Sequence, residues 1–323
     1  MLAIQAVRAG GPEVLEAVDL PVPTPGPGEI LIRQEAIGLN FIDTYQRTGL
    51  YPVKMPAVLG LEGAGVVEAV GEGVTRFVVG DRAAFGNGPL GAYAEFHVVP
   101  SGRAVKIPTG VSSRDAAAAM LKGMTAEFLL RRCYTVKKGD AILVHAAAGG
   151  VGTILTQWAK ALGAQVIATV GSADKAELAT AAGADEVILY RDEDVAARVK
   201  AITGGAGVRV AYDGVGAATL EASLSSLGRR GMLVSYGNAS GPAPAVEPLR
   251  LSRGGSLYLT RPTLFDYVTT VEELDESAGA LFEVVSSGAV KIAIGQEFPL
   301  AQAKQAHEAL EARATTGSTL LIP

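Results

Sequence analysis

The run Ala141-Ile142-Leu143-Val144-His145-Ala146-Ala147-Ala148-Gly149-Gly150-Val151-Gly152 decides the fold. Its first four residues are apolar and read as a buried strand, and the amphipathic segment after Gly152 reads as a helix. Strand, glycine turn and helix together offer free backbone N–H groups and a positive helix end to a pyrophosphate. Ala147 stands where the dinucleotide fingerprint has its first glycine. Glycine turns also join strands to helices for packing reasons alone, so the run has to be read with its surroundings.

Those surroundings repeat the pattern. Gln165–Val170, Glu186–Leu189, Val208–Asp213, Gly231–Tyr236 and Ser256–Thr260 read as strands, with helices expected over Ala173–Ala182 and Asp192–Ile202. Strands alternating with helices argue for parallel βαβ units, and six such strands match a doubly wound sheet. The first part of the chain differs. Ile30–Arg33, Gly65–Val70, Asp81–Phe85 and Tyr93–Val99 are short β-rich runs between Gly and Pro turns, and the Pro-rich Pro21–Gly28 can only be an edge or a loop. The chain turns Ala-rich and helical from Ser112. After the alternating region come a helix near Val271–Ser286, another near Ala301–Ala312 and a closing strand, Ser318–Ile322. This last segment is expected to return to the first domain, whose sheet otherwise lacks covering helices.

Composition narrows the function. The chain has 323 residues, 49% hydrophobic and 19% charged, with a net charge of −5. That length suits two domains, and the acidic balance gives no footprint for nucleic acid or an anionic membrane. Mean hydropathy is positive at +0.29. The longest apolar stretch, Ala141–Trp158, is nevertheless interrupted by His145, the glycines and Gln157, so no membrane span is expected. The start, Met1–Arg8, carries no secretory pattern. Cys133 is the single cysteine, which excludes an intramolecular disulfide and a multi-thiolate zinc site. Although Arg131 and Arg132 flank it, a packing role is the better reading. A cytoplasmic protein is the simplest fit.

Several stretches resemble the zinc-independent quinone oxidoreductases (ζ-crystallin type) of the medium-chain dehydrogenase/reductase superfamily, nearly end to end. They are Gly10–Leu15, Ile37–Tyr45 with Arg47–Pro52, Leu121–Ala126, the His145–Gly152 turn, Ser235–Gly241 and Arg313–Ser318. The resemblance implies an α/β protein with a GroES-like β-rich catalytic domain, residues 1–122 and 263–323. Around residues 123–262 it implies a Rossmann domain, a doubly wound parallel sheet that binds NADPH. It further implies a cleft between the domains for cofactor and acceptor, and a homodimer paired through the strand near Ser256–Thr260.

Zinc-dependent relatives hold their metal with Cys, His and Cys or Asp. Here the first ligand position is Asn40, and the Gly-His-Glu pattern reads Gly60-Leu61-Glu62, keeping the Glu and losing the His. His97, His145 and His307 form no ligand spacing, so each is read as structural and no metal is expected. Without a Lewis acid to stabilise an alkoxide, alcohol–carbonyl exchange lacks its charge stabiliser. An acceptor that spreads charge over a conjugated system needs only hydrogen-bond donors near its oxygen.

The resemblance assigns the cofactor contacts. Gly149, Gly150 and Val151 face the pyrophosphate, Tyr236, Gly237 and Ser240 the nicotinamide half or its phosphates, and Thr125 the nicotinamide amide. The second strand of the alternating series ends at Val170-Gly171-Ser172 with no acid at its tip, while Ser172 and Lys175 can bind a 2′-phosphate, favouring NADPH over NADH. Asp174 fits a helix N-terminal position. By resemblance Tyr190 and Arg313 join the phosphate, and Asn40, Asp43, Tyr45, Tyr51 and Asn238 border the acceptor, Asn40 also touching cofactor. The first four lie in a segment read as loop-rich, where Asn40 and a tyrosine hydroxyl could hydrogen-bond a quinone oxygen. No proton donor is singled out, because solvent can protonate a reduced quinone. Two other functions fit less well: reduction of activated alkenes with the same hydride geometry, and a nucleotide-binding protein with a structural or RNA-binding role, against which the missing basic stripe speaks.

Overall fold

A computed structural model describes residues 1–323. The chain divides into two compact units: Met1–Met124 with Tyr267–Ser286 and Ile292–Pro323, and Thr125–Asp266 with Ser287–Lys291. The family resemblance suggested breaks at 122/123 and 262/263. The first junction falls inside the continuous helix Ser113–Phe128, where no change of residue type can mark it.

The second unit holds a six-stranded sheet in the order Glu186–Leu189, Gln165–Val170, Ala141–Val144, Val208–Asp213, Leu227–Ser235, Tyr258–Thr260. Every neighbouring pair is parallel. Counted along the chain, the order runs third, second, first, fourth, fifth, sixth, which is the doubly wound Rossmann arrangement. It follows from the sequence because the central strands Ala141–Val144, Gln165–Val170 and Val208–Asp213 are apolar on both faces over most of their length, as a sheet covered on both sides requires. Leu143, Ile167, Ile188, Ala211 and Leu233 are fully buried in its core. The helix expected from Asp192 begins at Val195, because the Asp194 carboxylate caps it by accepting the Ala197 N–H at 2.9 Å.

The first unit is β-rich. A seven-stranded sheet runs Ile294–Pro299, Ser318–Ile322, Glu29–Leu39, Gly63–Val70, Arg82–Phe85, Val105–Lys106, and Phe96–Pro100 also pairs with Glu29–Leu39. Ser318–Ile322 lies antiparallel to Glu29–Leu39, with Leu320 opposite Gly38, so the two ends of the chain build one sheet. A smaller sheet joins Leu15–Asp19, Leu2–Ala6 and Ala57–Val58. Ile30, Ile32, Phe85, Tyr93 and Leu321 lie in the core beneath.

The segment after Asn40 is not the loop-rich stretch expected from the sequence. It is a helix, Phe41–Thr48, with Asn40 at its N-cap and Gly49 closing it at φ +83°. Asn, then Asp three residues on, then Gly after the last turn, is a capping pattern that the sequence carried.

Candidate functional site

In the second unit the strand Ala141–Val144 leads into the turn, and the helix Gly150–Ala161 starts with no side-chain cap. Its first N–H groups therefore point out of the helix start at the carboxyl edge of the sheet, where doubly wound sheets bind ligands. Ala146 takes the left-handed conformation, φ +51°, while Ala147 does not and is fully buried. That is why an alanine stands at the first fingerprint position. The strained residue of this turn is the one before it. Gly152 is required by packing, since a Cβ there would lie 2.3 Å from the Ala146 carbonyl oxygen.

Gly171, Ser172 and Tyr190 come together at the next strand end. A Cβ on Gly171 would sit 2.5 Å from the Tyr190 hydroxyl, so the ring lies across the glycine. Ser172 is the N-cap of the helix Ala173–Ala181, and its side chain makes no bond to that helix. Lys175, half-buried, is on the same first turn. Arg313, exposed with φ +57°, belongs to the first unit.

The loops at Gly214–Gly216 and Tyr236–Gly241 are stitched to each other. Ser240 donates its hydroxyl to the Val215 carbonyl at 2.8 Å and accepts the Ala218 N–H at 2.9 Å. Gly237 approaches so closely that a Cβ would lie 2.3 Å from the Gly214 oxygen. Tyr236 and Asn238 are half-buried on this loop. Behind it runs a buried chain that sequence reading missed. The Asp213 carboxylate accepts the Val215 N–H, the Gly216 N–H and the Thr219 hydroxyl on Oδ1 at 2.9, 3.0 and 2.8 Å, and the Ser223 hydroxyl on Oδ2 at 2.7 Å. Having donated to Asp213, Ser223 accepts from His145 Nε2–H at 3.0 Å, which leaves Nδ1 to accept the Thr169 hydroxyl at 2.9 Å. Burial pushes the His145 imidazole below its usual range, consistent with the neutral tautomer. The structural reading of His145 thus gains a definite form: it braces the ends of three neighbouring strands.

In the first unit, Glu62 is fully buried beside Asn40 and Lys122, which are also buried. Its Oε2 accepts the Lys122 ammonium at 2.8 Å and the Asn40 Nδ2–H at 2.8 Å, and its Oε1 accepts the Leu121 N–H at 2.6 Å. Asn40 Nδ2 also donates to the Gly38 carbonyl at 3.3 Å. Both protons of the amide are therefore committed inward. The expected donation from Asn40 to a quinone oxygen does not fit this arrangement, because the atom left over is an acceptor.

Asp43 does not border an open pocket. It is fully buried, and its Oδ2 accepts the Asn40 N–H at 2.9 Å and the Tyr93 hydroxyl at 2.8 Å. Its Oδ1 is buried with no partner, and burial pushes the carboxyl up to about 7 against those hydrogen bonds. Arg47, 1% exposed, donates to His307 Nδ1 at 2.9 Å, so His307 carries its proton on Nε2 and passes a hydrogen bond to Tyr93 at 3.0 Å. Burial and the Arg47 charge press His307 down to about 3. The third histidine, His97, donates its Nε2–H to the Pro89 carbonyl, 3.2 Å away. Tyr45 is buried and Tyr51 half-buried, their rings edge to face at 5.3 Å. Thr125 is buried on the helix Ser113–Phe128. No three His, Cys, Asp or Glu side chains converge in a metal-binding group.

Comparison with known proteins agrees with this geometry. Residues 26–109 match the alcohol dehydrogenase GroES-like domain, and residues 150–281 the zinc-binding dehydrogenase family. A quinone oxidoreductase of Pseudomonas aeruginosa is 54% identical over 321 residues, 99% of each chain. The crystal structure of the Escherichia coli quinone oxidoreductase complexed with NADPH superposes with a TM-score of 0.98 at 50% identity, covering 100% of both chains. A 2-haloacrylate reductase from a Burkholderia species is 43% identical over 323 residues, 98% of this chain and 97% of the relative. A Rossmann sheet and a GroES-like β unit in one chain define a medium-chain dehydrogenase/reductase. Within that superfamily the chain belongs to the quinone oxidoreductases.

Proposed function

We propose that the protein is an NADPH-dependent quinone oxidoreductase that works without zinc. The observation that carries this reading is the uncapped helix start at Gly150, on the carboxyl edge of a sheet in the doubly wound order. Relatives named quinone oxidoreductases, at 50–54% identity over the whole chain, support it. The residues fit a dinucleotide: close backbone approach at Gly152, an uncapped helix start, and a flat ring over Gly171.

When bound, NADPH supplies a hydride to the acceptor. Gly149, Gly150 and Val151 hold the pyrophosphate, and Ser172, Lys175 and Tyr190 the 2′-phosphate. Tyr236, Gly237 and Ser240 belong to the loop that orients the nicotinamide half, with Thr125. Tyr45 and Tyr51 supply hydroxyls for a quinone oxygen, and solvent delivers the proton that completes the hydroquinone. The protein's contribution is orientation and hydrogen bonding.

The 2-haloacrylate reductase relative favours an activated alkene as the alternative acceptor. Following NADPH oxidation with a panel of quinones and enones separates the two. Turnover with 1,4-benzoquinone is expected, and turnover confined to enones or haloacrylates would replace the quinone reading. We place the protein in the cytoplasm; no helix is long and apolar enough to cross a membrane. A homodimer through the edge strand Tyr258–Thr260 is supported by the 56% exposure of Tyr258 on an unpaired sheet edge, and light scattering tests it.

A further inference from the structure

Two buried side-chain oxygens of the helix Phe41–Thr48 have no donor: Asp43 Oδ1 and Gln46 Oε1. Residues three apart lie on one face of a helix, one turn above the other. A helical side chain leans back towards the N-terminus, so the Gln46 amide reaches towards the Asp43 carboxyl. An acceptor shut away from water without a donor is costly, most of all when it is charged. Both oxygens lack the same thing, and one proton supplies it. Placed on Oδ1, it turns the carboxyl into a donor and Gln46 Oε1 into its acceptor.

None of the polar and charged groups around Asp43 reaches Oδ1. The Tyr93 hydroxyl and the Asn40 N–H both go to Oδ2. Arg47, one turn along the same helix, commits its guanidinium to Gly10, His307 and Glu311. His307 reaches Asp43 only through Tyr93. Lys122 and Glu62 act on the carboxyl from a distance with opposite signs, while paired to each other. Burial is the largest influence and pushes the carboxyl up to about 7.

We propose that Asp43 and Gln46 form a proton-operated clasp, in which Asp43 carries its proton on Oδ1 and donates it to Gln46 Oε1. Closed, the clasp satisfies both oxygens and ties the first turn of the helix to the second. Loss of the proton opens it and leaves two buried acceptors, one of them charged. The clasp lies wholly within the first unit and is independent of the cofactor and acceptor the protein uses.

The test follows the proton and its acceptor separately. Protein labelled with carbon-13 at the aspartate carboxyls and nitrogen-15 at the glutamine amides is titrated with pH and read by NMR. Asp43 is assigned by its loss in Asp43→Asn, and Gln46 by its loss in Gln46→Met. The wild-type Asp43 midpoint is expected at about 7, and the Gln46 amide resonances should shift through the same midpoint. Gln46→Met keeps the length of the side chain and removes the acceptor. The Asp43 midpoint should then fall by about one pH unit, a tenfold loss of proton affinity. A midpoint unchanged or raised in Gln46→Met overturns the proposal; a rise is what a buried water donating to both oxygens would give. Should Gln46→Met fail to fold, the wild-type titration decides alone. Gln46 amide resonances that do not follow the Asp43 midpoint overturn the proposal.

Discussion

Each unit buries a histidine in a chain of side-chain hydrogen bonds that ends on an aspartate, and the two chains end differently. In the second unit Thr169, His145 and Ser223 lead to Asp213, whose two oxygens together take four donors. In the first, Arg47, His307 and Tyr93 lead to Asp43, where both donors share Oδ2 and Oδ1 has none. A buried acceptor with all its donors holds a loop in place, whereas one left half-partnered makes the fold sensitive to protonation. The loop held by Asp213 is Val215–Thr219, stitched to Tyr236–Gly241, which we assign to the cofactor. Asp43 instead holds the start of a helix.

The contrast is broken most directly at Asp213. Asp213→Ala strands buried donors from Gly216 and Ser223 and part-buried ones from Val215 and Thr219, and should lower unfolding stability by about 3–5 kcal/mol. Urea denaturation checks this; a loss below about 1 kcal/mol would mean that the chain braces nothing.

Asp43 carries the next effect, and its sign is fixed by the raised carboxyl. Between 3.8 and about 7 the folded protein holds a proton that the unfolded chain has released. This contribution to stability is complete below pH 3.8 and is lost as pH rises through about 7. Asp43→Asn removes the titration while keeping an acceptor for Asn40 and Tyr93. Relative to wild type it should gain roughly 2–4 kcal/mol between about pH 4 and about pH 8, read from urea midpoints at both ends. An equal difference at the two pH values would place the proton elsewhere.

A smaller test concerns the 2′-phosphate. Lys175→Ala, in the second unit, should reduce the preference for NADPH over NADH about tenfold in kcat/KM. An unchanged preference would remove Lys175 from the phosphate site.

Much of the second unit was legible in the sequence, because strands covered on both faces are continuous apolar runs with turns at their ends. Gln165–Val170, Glu186–Leu189 and Val208–Asp213 have the bounds read from the residues alone. The first unit was harder. Its long strand Glu29–Leu39 was recognisable only at Ile30–Arg33, and the helix Phe41–Thr48 was hidden by reading aromatic and polar residues as a pocket. The inward-facing groups were harder still. Arg47 and His307 are 260 positions apart, and no local pattern announces such a pair. Glu62 was noticed as the remnant of a metal motif. Its actual partners, Lys122 and the Asn40 amide, come from separate elements that only the fold brings together.

The pairing of Ser318–Ile322 with Glu29–Leu39 also sets an order of events during synthesis. Thr125–Asp266, all of the second unit but Ser287–Lys291, is contiguous and carries that unit's whole sheet, so it can begin to fold as soon as it leaves the ribosome, since domains generally fold as units. The β-rich unit cannot complete its sheet until later, because an interior strand, between Ile294–Pro299 and Glu29–Leu39, follows Thr125–Asp266 in the chain. Until then Ile37–Leu39 offers an open edge. Removing Ser318–Ile322 acts on the middle of a sheet.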